Sequence, residues 1–353
     1  VTTDDLTELH DELRAVAREL LGASGDGPPS RALLAGAGWL GLEVPEPLGG
    51  AGATFAEAAV VLEEMGREAT PGPYPGTVVL GVGALGVGGA GDRRDALLGG
   101  IASGDTQVAV ALGDAGAVVP EPGFRAEHTA TGVTVHGGAA FVIDAIEADR
   151  LLLVARDDRG AMVLVDVAPD AAGLRIDAQP VLDETRSFGA VTAAAVTVDA
   201  DAVLALRDLA PLADRAATAI AIDSLGLAAA MLDATVDHVA TRVQFGRPIG
   251  SFQAVKHACA HMLVQVSMSR ELVDAAVRAV AGEQTDAAVA VSMAKSYACD
   301  AAVAVVGRAL QLHGGIGYTW EGGVHTYLKR ATLNRSLFGS SRAHRARLAA
   351  RWA

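Results

Sequence analysis

Arg242-Val243-Gln244-Phe245-Gly246-Arg247-Pro248-Ile249-Gly250-Ser251-Phe252-Gln253 joins two long apolar periodicities, and its reading decides the fold. Upstream, Ala216 to Val243 reads as one long helix closed by Gly246 and Pro248. Downstream, Ser251 is placed to cap a helix that carries Phe252, Val255, Ala258 and Met262 on one side. Helical spacing puts Arg242 and Phe245 at i and i+3, on a shared face. A guanidinium beside an aromatic plate suits a ligand with both a diphosphate and a flat base. A helix-end arginine serving the last carbonyls, with the phenylalanine as core, accounts for the same pair.

Further along, a third helix is expected from about Asp286 to Leu312, stopped by Gly314-Gly315, and a fourth from near Val324. In the other direction the texture changes. From Thr106 to about Val203, Val108, Val110, Val133, Val135, Leu151-Leu152-Leu153-Val154 and Val191 to Val198 alternate or form short apolar blocks, which predicts strands. Asp157-Asp158-Arg159-Gly160 reads as a turn within them. The first hundred residues are helical again. Leu6, Leu9, Leu13, Val16 and Leu20 form one stripe, and Phe55 to Met65 forms a second segment. The expected class is therefore α+β, with a helical domain over 1–105, a small β domain over 106–203 and a helical domain over 204–353.

Composition narrows the function. The chain has 353 residues, is 51% hydrophobic and carries 28 basic against 42 acidic side chains, a net charge of −14. An acidic surface argues against a nucleic-acid binder, which must neutralise phosphates. The start Val1-Thr2-Thr3-Asp4-Asp5 lacks the layout of a signal peptide, and Ala216 to Leu232 carries Asp223 and falls short of a clean membrane span. Cys259 and Cys299 read as small helical residues and not as a disulfide. A cytoplasmic protein without membrane insertion is expected.

Three motifs carry less. Gly81-Val82-Gly83-Ala84-Leu85-Gly86 matches a dinucleotide fingerprint after Val78-Val79-Leu80, but no acid-ended second strand follows. His257-Ala258-Cys259-Ala260-His261 places imidazoles at i and i+4 without further ligands, so no metal is expected. Phe338-Gly339-Ser340-Ser341 lacks the frame of a nucleophile elbow. Gln311-Leu312-His313-Gly314-Gly315-Ile316-Gly317-Tyr318 is more informative. Its glycines terminate a helix, and they also let a nucleotide approach closely.

Together with Gly38 to Gly50 and Phe141 to Asp149, these segments resemble the acyl-CoA dehydrogenase family. The resemblance implies a helical N-terminal domain, a middle β domain and a C-terminal four-helix bundle. It also implies tetramers, FAD as cofactor, an acyl-CoA thioester as substrate and electron-transfer flavoprotein as acceptor. The implied reaction removes the α-proton and passes hydride from the β-carbon to flavin N5. By resemblance, Arg242 and Phe245 hold the pyrophosphate and adenine of a flavin bound mainly by a neighbouring subunit. Gln311, Gly314 and Gly315 reach that same flavin.

Two other sets depart from the family. Its flavin-facing threonine is replaced around Leu112-Gly113-Asp114. Its Trp-Ile-Thr segment beside the isoalloxazine reads Phe141-Val142-Ile143, and isoleucine cannot hydrogen-bond a flavin. Where many members carry the glutamate base, this chain has Phe338, which cannot accept a proton. Some members place the base on the first helix of the C-terminal domain, near Ala216 here, so Asp214 and Asp223 become candidates. Asp223 lies in an apolar setting, where desolvation makes a base or a neighbouring serine or arginine holds the carboxylate. The expectation is a dehydrogenase subunit working beside an unlike subunit that holds the glutamate. The family includes actinobacterial members of this kind, often acting on steroid side-chain thioesters. A non-catalytic supporting subunit, and a homotetramer using an aspartate base, are the alternatives.

Overall fold

The computed structural model describes residues 3–23, 27–130 and 132–351, with side chains from residue 8 onward. In chain order the helices α1 Thr3–Ala23, α2 Arg31–Gly36, α3 Phe55–Arg67, α4 Gly83–Val87 and α5 Asp92–Ser103 come first. Strands β1 Val108–Ala111, β2 Phe124–His128, β3 Val133–Ile143, β4 Arg150–Asp157, β5 Met162–Val167, β6 Leu174–Ala178, β7 Phe188–Val198 and β8 Val203–Ala205 follow. The chain then enters α6 Ala210–Thr241, a short hairpin of β9 Val243–Gln244 and β10 Arg247–Pro248, and the helices α7 Gln253–Ala281, α8 Ala287–His313, α9 Val324–Asn334 and α10 Ser341–Ala350. This is the α+β order expected. The chain forms two compact units, each built from more than one stretch: 28–58 with 71–216, and 1–27 with 59–70 and 217–353.

The first unit holds an eight-stranded sheet ordered β6-β7-β3-β2-β4-β5-β8, with β1 also paired to β4. β1 and β2 lie parallel to successive halves of β4, while β4 and β5 form the hairpin whose turn is Asp157 to Gly160. One face is dry, with Phe124, Val135, Leu151, Leu153, Val165 and Val191 in a single apolar cluster. Alternation in β7, where Val191, Ala193 and Val196 are buried and Thr192 is exposed, sets its register on that core. Val78-Val79-Leu80 is not a strand. It lies in a buried π-helix, Pro75–Val82, so the fingerprint glycines form no strand-turn-helix and bind no dinucleotide in that manner. The buried Arg215 closes this helix, donating from Nε to the Val79 carbonyl at 2.7 Å and from Nη2 to that of Val78 at 3.2 Å. Asp144 Oδ2 accepts from the Gly76 N–H at 3.0 Å at its other end.

In the second unit α3 and α6 cross at two glycines. A Cβ at Gly226 would lie 2.3 Å from the Glu63 carbonyl oxygen, and one at Gly66 would lie 2.5 Å from that of Asp223, so only glycine allows this approach. The stripe expected on α1 is shifted: Leu9 and Val16 are exposed and the buried side chains are Ala17 and Leu21. The side chain of Leu6 lies outside the described residues. Polar anchoring explains the rotation, because Arg18 makes a two-pronged ion pair with the buried Glu64 of α3. Ser251 does not cap α7. Its hydroxyl donates to the Pro248 carbonyl at 2.7 Å, and Phe252 takes the N-cap position. α6 and the stretch Ala287–Tyr318 are long and apolar enough to cross a membrane, contrary to the expectation for α6; 78% and 61% of their apolar windows are buried within the fold. Cys259 and Cys299 are free thiols, half-buried and buried respectively.

Candidate cofactor face and base position

α6 ends at Thr241, so Arg242 and Phe245 do not share a helical face as their spacing suggested. Arg242 N–H still donates to the His238 carbonyl at 2.9 Å, and the Arg242 carbonyl accepts from Ile249 N–H at 2.8 Å. Between these bonds the chain turns through the β9–β10 hairpin at Phe245 (φ 54°) and Gly246 (φ 75°), a pair of left-handed residues that a two-residue hairpin needs. Phe245 is thereby carried clear of the bundle and is 90% exposed, its ring edge-on to Phe252 at 6.0 Å. Arg247 lies over the Phe252 ring at 4.1 Å.

α8 ends at His313, with Gly314 at its C-cap at a positive φ (62°, ψ −137°), followed by a 3₁₀ turn over Gly314–Tyr318. Gln311, Gly314 and Gly315 are exposed, and space around both glycines is open. The rings of His238 and His313 stack with centroids 4.5 Å apart and planes 20° apart. That contact brings the ends of α6 and α8 together, so residues far apart in sequence share one end of the bundle. Burial, the facing His313 and Arg242 hold His238 below the usual histidine range. The sequence does not single out this histidine pair, because nothing local pairs two rings on different helices. An exposed cation, aromatic ring, amide and two glycines form a donor set that fits the diphosphate and adenine end of a flavin nucleotide.

The base position is different. Phe338 is 3% exposed and left-handed (φ 50°), and its carbonyl accepts from His344 Nε2 at 2.8 Å. A carbonyl can only accept, so Nε2 carries the proton and Nδ1 accepts from the Ser292 hydroxyl at 3.2 Å. Burial, aided by the charge of Lys295, pushes His344 down to about 4, against the raising effect of its bond to Phe338. Lys295, itself fully buried, donates to the carbonyls of Asn334 and Gly339 at 3.0 and 2.9 Å, closing the end of α9. No carboxylate occupies this loop between Asn334 and Ser341.

Asp223 is 2% exposed, as its apolar sequence suggested, but it is an ion-pair partner. Arg330 donates to both of its oxygens, from Nε at 3.0 Å and from Nη2, and Asn334 Nδ2 donates to Oδ2 at 2.6 Å. Arg330 is also anchored on the Thr70 carbonyl at 2.8 Å. A carboxylate held by an arginine fork and an amide is engaged as a structural acceptor rather than standing as a free base. Asp214 is buried in the first turns of α6.

In the sheet unit, Gly113 has φ 144°, and a Cβ there would meet the Glu121 carbonyl oxygen at 2.1 Å. Backbone packing therefore excludes a threonine at this position. Phe141 sits in an irregularity of β3, left-handed (φ 53°) and exposed, with its N–H donated to Gln179 Oε1 at 2.5 Å. Val142 and Ile143 are buried. This segment offers no side-chain hydroxyl to a flavin ring, so the donor set for the ring does not fit as that for the diphosphate does.

Residues 213–353 match the acyl-CoA dehydrogenase C-terminal domain, and residues 7–105 match the acyl-CoA dehydrogenase N-terminal domain. The acyl-CoA dehydrogenase IpdE2 of Mycolicibacterium smegmatis is 33% identical over 99% of this chain and 96% of its own length. Among solved structures, the steroid ACAD Tcur3481-Tcur3483 (G363A variant) is similar at TM-score 0.83 and 31% identity, covering 98% of this chain and 97% of its own. The ChsE4-ChsE5 complex of Mycobacterium tuberculosis is similar at TM-score 0.86 and 27% identity, covering 99% and 97%.

Proposed function

Since the chain belongs to the acyl-CoA dehydrogenase family of oxidoreductases, we propose that it serves the α,β-dehydrogenation of an acyl-CoA thioester as one subunit of an FAD-dependent heteromeric enzyme. One observation carries this reading. Arg242, Phe245, Gln311, Gly314 and Gly315 stand exposed at one end of the bundle, while the base position is a buried phenylalanine. Residues for a neighbour's nucleotide are present, and groups for a chain's own chemistry are absent at Gly113, Ile143 and Phe338. Similarity to a two-component steroid enzyme and to the ChsE4-ChsE5 complex supports an unlike partner and a bulky acyl group.

FAD supplies the hydride acceptor for such a dehydrogenation. This chain's part is binding. The Arg242 guanidinium would pair with the diphosphate, Phe245 would face the adenine, and Gln311 with the glycine backbone would complete the contact. The α-proton would be taken by a glutamate of the unlike subunit, since Phe338 cannot accept one and Asp223 is engaged by Arg330. Electrons would leave to an electron-transfer flavoprotein. In the homotetrameric alternative the base would fall to Asp214.

The test is FAD retention by the natural complex. Arg242→Ala is expected to weaken it by about 10- to 100-fold, the loss of one charge-assisted hydrogen bond. Unchanged flavin content in that variant would remove Arg242 from the site.

A further inference from the structure

Helix C-termini expose unpaired carbonyls and the negative end of the helix dipole. α6 and α8 end side by side, which makes their shared end a poor place for a diphosphate unless more than one cation offsets it. Arg242 is one such cation. The His238–His313 stack lies among the same residues: His238 is one turn before Arg242, and His313 is the residue before Gly314. His313 Nδ1 donates to the Ala309 carbonyl at 2.8 Å, which leaves Nε2 as its nitrogen not engaged by that carbonyl.

We propose that the His238–His313 stack is a proton-coupled part of this anion face, taking up one proton from solvent as a diphosphate binds beside Arg242. The proposal rests on the flavin reading above and adds the groups that complete it. The charged groups acting on His238 are His313 from α8 and Arg242, just past the end of its own helix, and with burial both disfavour the imidazolium when no anion is present. Two imidazolium rings at 4.5 Å repel each other, so a doubly protonated stack is disfavoured. A bound diphosphate offsets Arg242 and attracts an imidazolium, so the ligand favours the singly protonated stack. Reciprocity then requires binding to tighten as pH falls. Affinity for FAD is expected to drop about fivefold from about pH 6 to about pH 8.

Calorimetric titration of FAD into the flavin-depleted natural complex, in two non-phosphate buffers of different ionisation heat at about pH 7, reads the proton directly. Uptake of about 0.3–1 proton per FAD is expected. His238→Gln and His313→Gln should each still bind FAD, lose the uptake and flatten the pH dependence. Binding without proton uptake in the unaltered complex, or uptake that survives in both variants, overturns the proposal. Should the variants fail to assemble, imidazole NMR of the unaltered complex decides. A midpoint for the pair that rises by about half a pH unit or more with FAD supports the proposal, and an unmoved one refutes it. Arg242→Ala separates the two claims. Full FAD affinity in that variant refutes the flavin reading itself, whereas weakened binding with no proton uptake in the unaltered complex refutes the histidine role alone.

Discussion

The Phe338 side chain is buried and its carbonyl is held by His344, so both its backbone and its ring serve the packing of this loop. Phe338→Glu is expected to give little or no new activity on straight-chain acyl-CoA, because this chain lacks the other groups for the ring. Robust turnover by that variant would show a complete reactive site here. Asp223 was legible as a buried carboxylate, but its partner was not, since Arg330 lies 107 residues on and no local pattern pairs them. Asp223→Asn should cost about 3–5 kcal/mol of stability by removing the carboxylate that balances the buried Arg330 charge. Denaturant unfolding checks this: an unchanged midpoint with lost activity would restore Asp223 as the base.

Among the elements, long helices and strands followed from periodicity, and the failures have local causes. The spacing of Arg242 and Phe245 fits a helix, yet the left-handed pair Phe245-Gly246 makes a hairpin. Val78 to Leu80 has no period, so its π-helix could not be read, and its closure by Arg215 is long-range. α1 is rotated by ion pairs that hydrophobic spacing does not register. The loop after α9 carries a pH signature. His344 binds its proton near 4 when folded and near 6.5 when unfolded, so below 6.5 the unfolded chain holds more protons. The His344 contribution is therefore complete above about pH 6.5 and is lost as pH falls toward about 4, to a total of about 3 kcal/mol. Unfolding free energies of the chain and of His344→Gln over that range should converge toward the acid end. Parallel curves would exclude a neutral buried imidazole.

For the whole molecule, family and α+β order were legible from motifs spread along the chain, while the proposed division of labour rests on which groups are exposed. In the proposed reading, Arg242, Phe245, Gln311 and the glycine pair would furnish the nucleotide end, and Gly113, Ile143 and Phe338 lack the groups of a reactive end. A homotetramer of such chains would have four sites with the same deficiency. Pairing with an unlike subunit gives one complete site per heterodimer, from this chain's diphosphate face and the partner's reactive face. The most direct measurement is flavin stoichiometry, for the chain purified alone and after coexpression with a glutamate-bearing paralogue. The chain alone is expected to bind FAD weakly with little dehydrogenase activity, and the complex to hold about half a flavin per polypeptide, each reduced by acyl-CoA. One tightly bound FAD per chain in the isolated protein, reduced on adding acyl-CoA, would contradict the account.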